Sequence, residues 1–325
     1  MRATFPRFLT AVPYAAALLM SGCAAQSNGV SSPSLTTGFS GMAKIDDTHY
    51  LAVHDEKSHE SGVRISILEG SAEQGITVIP VEPASWEHSE GRSNDLEGVC
   101  SLPGRDEEFL LVEAGHWEGD FGRLFHVKVD ITAVPYEVSV LHAFDLPEFD
   151  PKGPQDRDGD EIEGLACAAR QDGSTLLIFG ERGGSSVYPN GLLRWAVIEL
   201  NAKTGPRFSV AGRAGKAVHP PASQDNRAGK RDISALHLDA DNNLWAVATE
   251  DPGDFGPFRS VIYKAGEVRA DDPDPIRIEN PSSASRSVDG FKIESLAAPT
   301  TQIEGSVFAI GTEDEALGGV WRAIR

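Results

Sequence analysis

The sequence predicts an all-β protein, folded as a single β-propeller of five four-stranded blades. Three observations predict it. One short pattern recurs, clearest in Asp95-Leu96-Glu97-Gly98-Val99-Cys100 and Glu161-Ile162-Glu163-Gly164-Leu165-Ala166. Asp232-Ile233-Ser234-Ala235-Leu236 and Lys292-Ile293-Glu294-Ser295-Leu296 are looser copies, and Gly38-Phe39-Ser40-Gly41-Met42 is a first copy without the acid. Each copy is followed by a turn and an apolar run that ends at His54-Asp55-Glu56, Glu113, Glu181-Arg182, Thr249-Glu250-Asp251 or Thr312-Glu313-Asp314. Finally, no stretch keeps a helical period for more than about two turns. Repeats about 57 to 70 residues apart, each long enough for four short strands, read as propeller blades.

The chain begins with a targeting segment, which takes no part in the fold. Arg2 and Arg7 precede a short apolar run, Phe8 to Met20. Leu19-Met20-Ser21-Gly22-Cys23 resembles a bacterial lipobox, with Met20 where Leu is usual. On that reading Cys23 is the lipidated first residue, and Ala24 behind it directs the protein to the outer membrane. The alternative is cleavage after Ala25 and free secretion. Residues 24–37 are then tether and closing strand, and residues 38–325 are the propeller.

Blade one reads Gly41 to Ile45, Tyr50 to His54, Val63 to Leu68 and Ile76 to Val81. Blade two reads Leu96 to Leu102, Phe109 to Glu113, Leu124 to Val129 and Val138 to Ala143. Blade three reads Ile162 to Ala168, Thr175 to Gly180, Arg194 to Leu200 and Arg207 to Val210. Blade four reads Ile233 to Leu238, Leu244 to Ala248, Val261 to Lys264 and Ile276 to Ile278. Blade five has only Ile293 to Ala297, Val307 to Ile310 and Val320 to Ile324, so Ser34 to Thr37 is expected to close the ring. That closure would leave no blade edge open to another chain. A sixth blade would have to come from Asn201 to Arg231, which is poor in strand signals.

A net charge of -20 over 325 residues excludes nucleic acid as a natural partner and favours divalent cations or basic partners. The membrane is met only through the lipid anchor, and a monomer is expected. Cys100 and Cys167 fall at opposite parity relative to Glu97 and Glu163, which predicts two buried unpaired thiols.

Alternating strands put the starts of first strands and the ends of second strands on one face, where the long loops also lie. Function is expected there. Glu97, Glu163 and Glu294 should point to the mouth of the central channel, with Asp95 and Asp232 beside them and Glu181 among the second-strand acids. Carboxylates crowded this way need compensation, and Ca²⁺ suits a flexible oxygen cage. The candidate metal ligands are Glu97, Glu163, Glu294, Asp95 and Glu181. The structural alternative is pairing with Arg64, Arg123, Arg194 and Arg259, which recur near the starts of third strands. His54 and His116 are the candidate catalytic bases on this face. Asp156-Arg157-Asp158-Gly159-Asp160 resembles the opening of a calcium loop, but Glu161 stands where such a loop needs glycine. The basic stretch Lys203 to Arg231 reads as a solvated loop or an anion-binding lid.

The paired pattern of first-strand acid-Gly and acid-terminated second strand resembles bacterial propellers of the esterase-like phytase group. It is also similar to the gluconolactonase and strictosidine-synthase-like group. Glu97, Glu163 and Glu294 match the acids of that pattern, and Ser40 and Ser234 depart from it. The resemblance implies a channel cation and a hydrolase of small phosphoesters, esters or lactones. The competing expectation is a non-catalytic binding propeller of the cell envelope, with Trp86, Trp117, Tyr188 and Phe255 forming an aromatic patch on the loop face.

Overall fold

The computed structural model describes residues 37–56, 62–71, 75–81, 95–115, 122–146, 160–201, 205–221 and 229–325. The signal segment with Cys23, residues 34–36 of the expected closing strand, His116, Trp86, Trp117 and residues 156–158 lie outside these.

Five antiparallel sheets follow one another along the chain. The first holds β1 (Gly41–Lys44), β2 (His49–Val53), β3 (Ile65–Ser71) and β4 (Gly75–Pro80). The second holds β5 (Leu96–Ser101), β6 (Glu108–Glu113), β7 (Arg123–Asp130) and β8 (Glu137–Asp145). The third holds β9 (Ile162–Ala169), β10 (Thr175–Glu181), β11 (Leu192–Asn201) and β12 (Gly205–Val210), and β13 (Lys216–Ala217) pairs with β11. The fourth holds β14 (Lys230–Leu238), β15 (Asn243–Glu250), β16 (Arg259–Val268) and β17 (Ile276–Ile278), and β18 (Arg286–Asp289) pairs with β16. The fifth holds β19 (Ile293–Ala297), β20 (Phe308–Thr312) and β21 (Trp321–Ile324). The first strands β1, β5, β9, β14 and β19 each contact the next, and β19 contacts β1, so the ring is a five-bladed propeller. The stretch 201–231 supplies β12 and β13 to the third blade and forms no sixth one. At the seam of blades one and five, Phe39 N donates to Thr312 O at 3.0 Å.

The repeated glycine has a packing cause. A Cβ on Gly98 would lie 2.9 Å from Leu165 N, and one on Gly164 would lie 2.8 Å from Leu236 N. First strands of neighbouring blades therefore approach backbone to backbone, and a small residue must stand there. Gly41, Ala235 and Ser295 fill the equivalent positions.

The cysteines correct the sequence reading. Cys100 and Cys167 form a disulfide, with Cα atoms 5.7 Å apart. Parity was the right observation with the wrong consequence. Blades stack so that one face of a sheet meets the opposite face of the next. Side chains of opposite parity on β5 and β9 thus share one interface, and both cysteines belong to the same buried cluster between blades two and three.

Candidate functional site

The repeated acids owe their direction to β-bulges. On β5, Leu96 pairs with Glu113 and Gly98 with Val112, so Glu97 is the extra residue. Glu163 is extra in the same way between Ile162 and Gly164, and Glu294 between Ile293 and Ser295. A bulge re-aims its side chain out of the alternating pattern. All three acids line one narrow recess at the channel mouth, with Ser40 at the equivalent place in blade one. Beneath the acids, one apolar side chain from each blade closes the channel: Met42, Val99, Leu165, Leu236 and Leu296, all buried. The acid layer is dry on that side, so unpaired charge there is costly.

Protein cations answer most of that charge. Arg182 Nε donates to Glu163 Oε1 at 2.5 Å, and Arg182 also pairs with Glu161 at 2.6 Å. Arg231 reaches Glu294 at 2.9 Å, Glu163 at 3.4 Å and Asp251 at 2.7 Å. Lys292, itself 2% exposed in its side chain, sits 3.0 Å from Glu294 and 2.6 Å from Glu313, and also pairs with Glu315. Of these three acids, Glu97 is the one that makes no ion pair or hydrogen bond with a described residue.

The proton follows that asymmetry. Burial, then the charges of Glu163, Glu294, Asp95 and Asp55, push the Glu97 carboxyl well above the usual carboxylate range. Burial raises Glu163 too, but Arg182 and Arg231 oppose it, so Glu97 keeps its proton to the higher pH of the two. Glu294 is buried as deeply, yet Lys292 and Arg231 hold it below the ordinary value. Glu313, partly buried and hydrogen-bonded to Glu294, is pushed up instead. Arg231 ties three acids from three elements. Arg231→Met should therefore destabilise the fold by about 3–5 kcal/mol, because it leaves buried carboxylates without a partner. Denaturant unfolding checks this, and a loss below about 1 kcal/mol would contradict it.

The remaining sequence candidates separate cleanly. Glu181 pairs with Arg194 at 2.6 Å, and burial raises its carboxyl to about 7. Glu113 takes Arg123 Nη2 at 2.7 Å and Arg64 at 3.4 Å. The expected third-strand arginines thus do compensate second-strand acids in blades two and three, while Arg259 turns to Asp289 at 3.0 Å. Asp95 O accepts from Ala114 N at 2.8 Å, and Asp95 stands beside the site as one of the charges opposing Glu97. His54 is corrected. It is fully buried, donates from Nδ1 to Gly38 O at 2.5 Å and accepts at Nε2 from Ser66 at 2.8 Å. Burial lowers it to about 4, so it is a neutral core histidine with no free nitrogen for catalysis. Within the basic stretch, Lys216 pairs with Asp274 at 2.5 Å and Lys230 with Asp232 at 2.9 Å, while Arg231 belongs to the channel mouth. Among the described residues, no group of three or more His, Cys, Asp or Glu is placed to hold a metal ion.

Sequence reasoning missed Arg182, Arg231 and Lys292. The signal was present, since each stands next to, or two residues from, a motif acid: Glu181-Arg182, Arg231-Asp232 and Lys292-Ile293-Glu294.

No protein family matches this sequence, and no curated protein does. Among solved structures, a Cellvibrio cellulosa alpha-L-arabinanase complexed with arabinohexaose is similar at a TM-score of 0.45 and 10% identity, over 89% of this chain and 91% of that one. A thermostable family-43 glycoside hydrolase is similar at 0.48 and 9%, over 88% of each chain. A glucose dehydrogenase is similar at 0.39 and 11%, over 90% of this chain and 99% of that one. The resemblance to the esterase-like phytase and gluconolactonase groups finds no support in these neighbours.

Proposed function

We propose that the channel mouth is the active site of a hydrolase working by acid–base catalysis. One observation carries the reading: Glu97 makes no ion pair with a protein cation, whereas Glu163 and Glu294 do, and the Arg182 charge acts on Glu97 only from a distance. Two carboxyl groups whose surroundings push their proton affinities apart are suited to opposite roles. Glu97 is the proton donor to a leaving-group oxygen. Glu163, raised but held by two guanidinium groups, is the base that takes a proton from water. Glu294 stays a fixed negative charge that steadies positive charge developing on the substrate. Glycosidic bonds fit best, because a proton donor and a carboxylate suffice to break them. Lactones and esters come second, and phosphoesters fit poorly in a recess lined by acids.

Export completes the proposal. The Cys100–Cys167 bridge suits an oxidising compartment, which agrees with the lipobox at Cys23. Calcium is the competing proposal for the recess, with Glu97 as the ligand still without a cation. A non-catalytic binding role is favoured by exposed Val187, Phe255 and Leu317, carried on the loops after β10, β15 and β20.

A screen of aryl glycosides, aryl esters, lactones and aryl phosphates on the mature protein tests this, with and without added calcium. Glycoside turnover lost in Glu163→Gln is the expected result. Turnover only of phosphates, or turnover that appears only with calcium, would overturn it.

A further inference from the structure

The geometry points to a second small-molecule site at the opposite mouth of the channel, for a compact neutral ligand with hydrogen-bonding groups. A cavity of about 290 Å³ opens there, below the apolar layer that seals off the acids. For scale, a dry cavity of about 150 Å³ holds a benzene ring. This one has room for a bicyclic molecule.

Its wall breaks the repeat at one place. Three residues after the motif acid stand Ala43, Cys100, Ala166 and Ala297 in four blades, and the disulfide fills its own position. Blade four has His237 there. The imidazole packs edge-on to Phe308, with ring centres 6.3 Å apart, and makes no hydrogen bond among the described residues. Burial lowers it to about 4, so it is neutral and offers one N–H and one bare nitrogen. The one charged wall residue, Lys44, is already taken by Asp47 at 2.6 Å and Pro299 O at 2.7 Å. More polar than apolar surface lines this cavity, and His237 adds an imidazole without a hydrogen bond, so a ligand is held there by hydrogen bonds as well as by contact area. The charge balance excludes ions, since the pocket keeps no free charge to pair with them. It selects a neutral hydroxyl or carbonyl compound.

The probe is 2-naphthol, titrated into the mature protein and followed by its own fluorescence and by the His237 ring resonances. Saturable binding with one site is expected, with a shift of those resonances. His237→Leu should weaken binding at least tenfold. Ser101→Phe, placed at an exposed part of the cavity wall, should abolish it without touching the core. Glu97→Gln should leave it unchanged, which separates this site from the proposed active site. Binding that does not saturate, or that is equal in wild type, His237→Leu and Ser101→Phe, would overturn the assignment.

Discussion

Glu97→Gln is expected to abolish turnover and yet make the protein more stable at neutral pH. Loss of the proton donor should lower the rate roughly 10²–10⁴-fold. The stability sign follows from proton linkage. The folded state holds the Glu97 proton more tightly than the unfolded chain does, where the value is near 4.5. As pH rises above that value the unfolded chain releases its proton first, so wild-type stability falls until the folded carboxyl also ionises. Glutamine removes this term. The two proteins should melt alike near pH 4, and the variant should melt higher as pH rises. Paired melts across that range check the claim. A variant less stable at neutral pH would mean that Glu97 makes a stabilising charged contact.

Loss of the disulfide should have a large effect on folding. The bridge spans 67 residues of chain, and closing a loop of that length stabilises by about 4 kcal/mol on the chain-entropy estimate. It is also a covalent tie between two blades. For a chain of 325 residues, at about 2.1 cal/mol/K of unfolding entropy per residue, that loss lowers the melting temperature by roughly 6 °C. The double variant Cys100→Ser/Cys167→Ser should show it without reductant, and wild type with reductant should fall to match. Equal melts of wild type and variant would show that the cluster between blades two and three holds without the bridge.

The sequence made the blades legible because each is one repeat and its turns are short and polar. Ile276 to Ile278 was read as the outer strand of blade four, and that strand is observed with the same bounds. The acids were legible for the same reason. Their aim was not, because a bulge adds one residue whose effect depends on the partner strand, and alternation alone gives no sign of it. Cys100 and Cys167 read as unpaired because parity is a property of a single strand, whereas blade stacking brings opposite faces together. His54 reads as a surface base from its place at a strand end. Packing against Phe39, with ring centres 5.5 Å apart, makes it part of the seam between blades one and five.

The proposed chemistry rests on where one proton resides. Carbon-13 NMR of protein labelled at the glutamate carboxyl, with Glu97→Gln to assign the signal, measures it directly. A Glu97 carboxyl still protonated at neutral pH, and unmoved by calcium, is the predicted result. A Glu97 signal that titrates in the ordinary carboxylate range, or that shifts only when calcium is added, would contradict the acid–base account and establish the recess as a cation site instead.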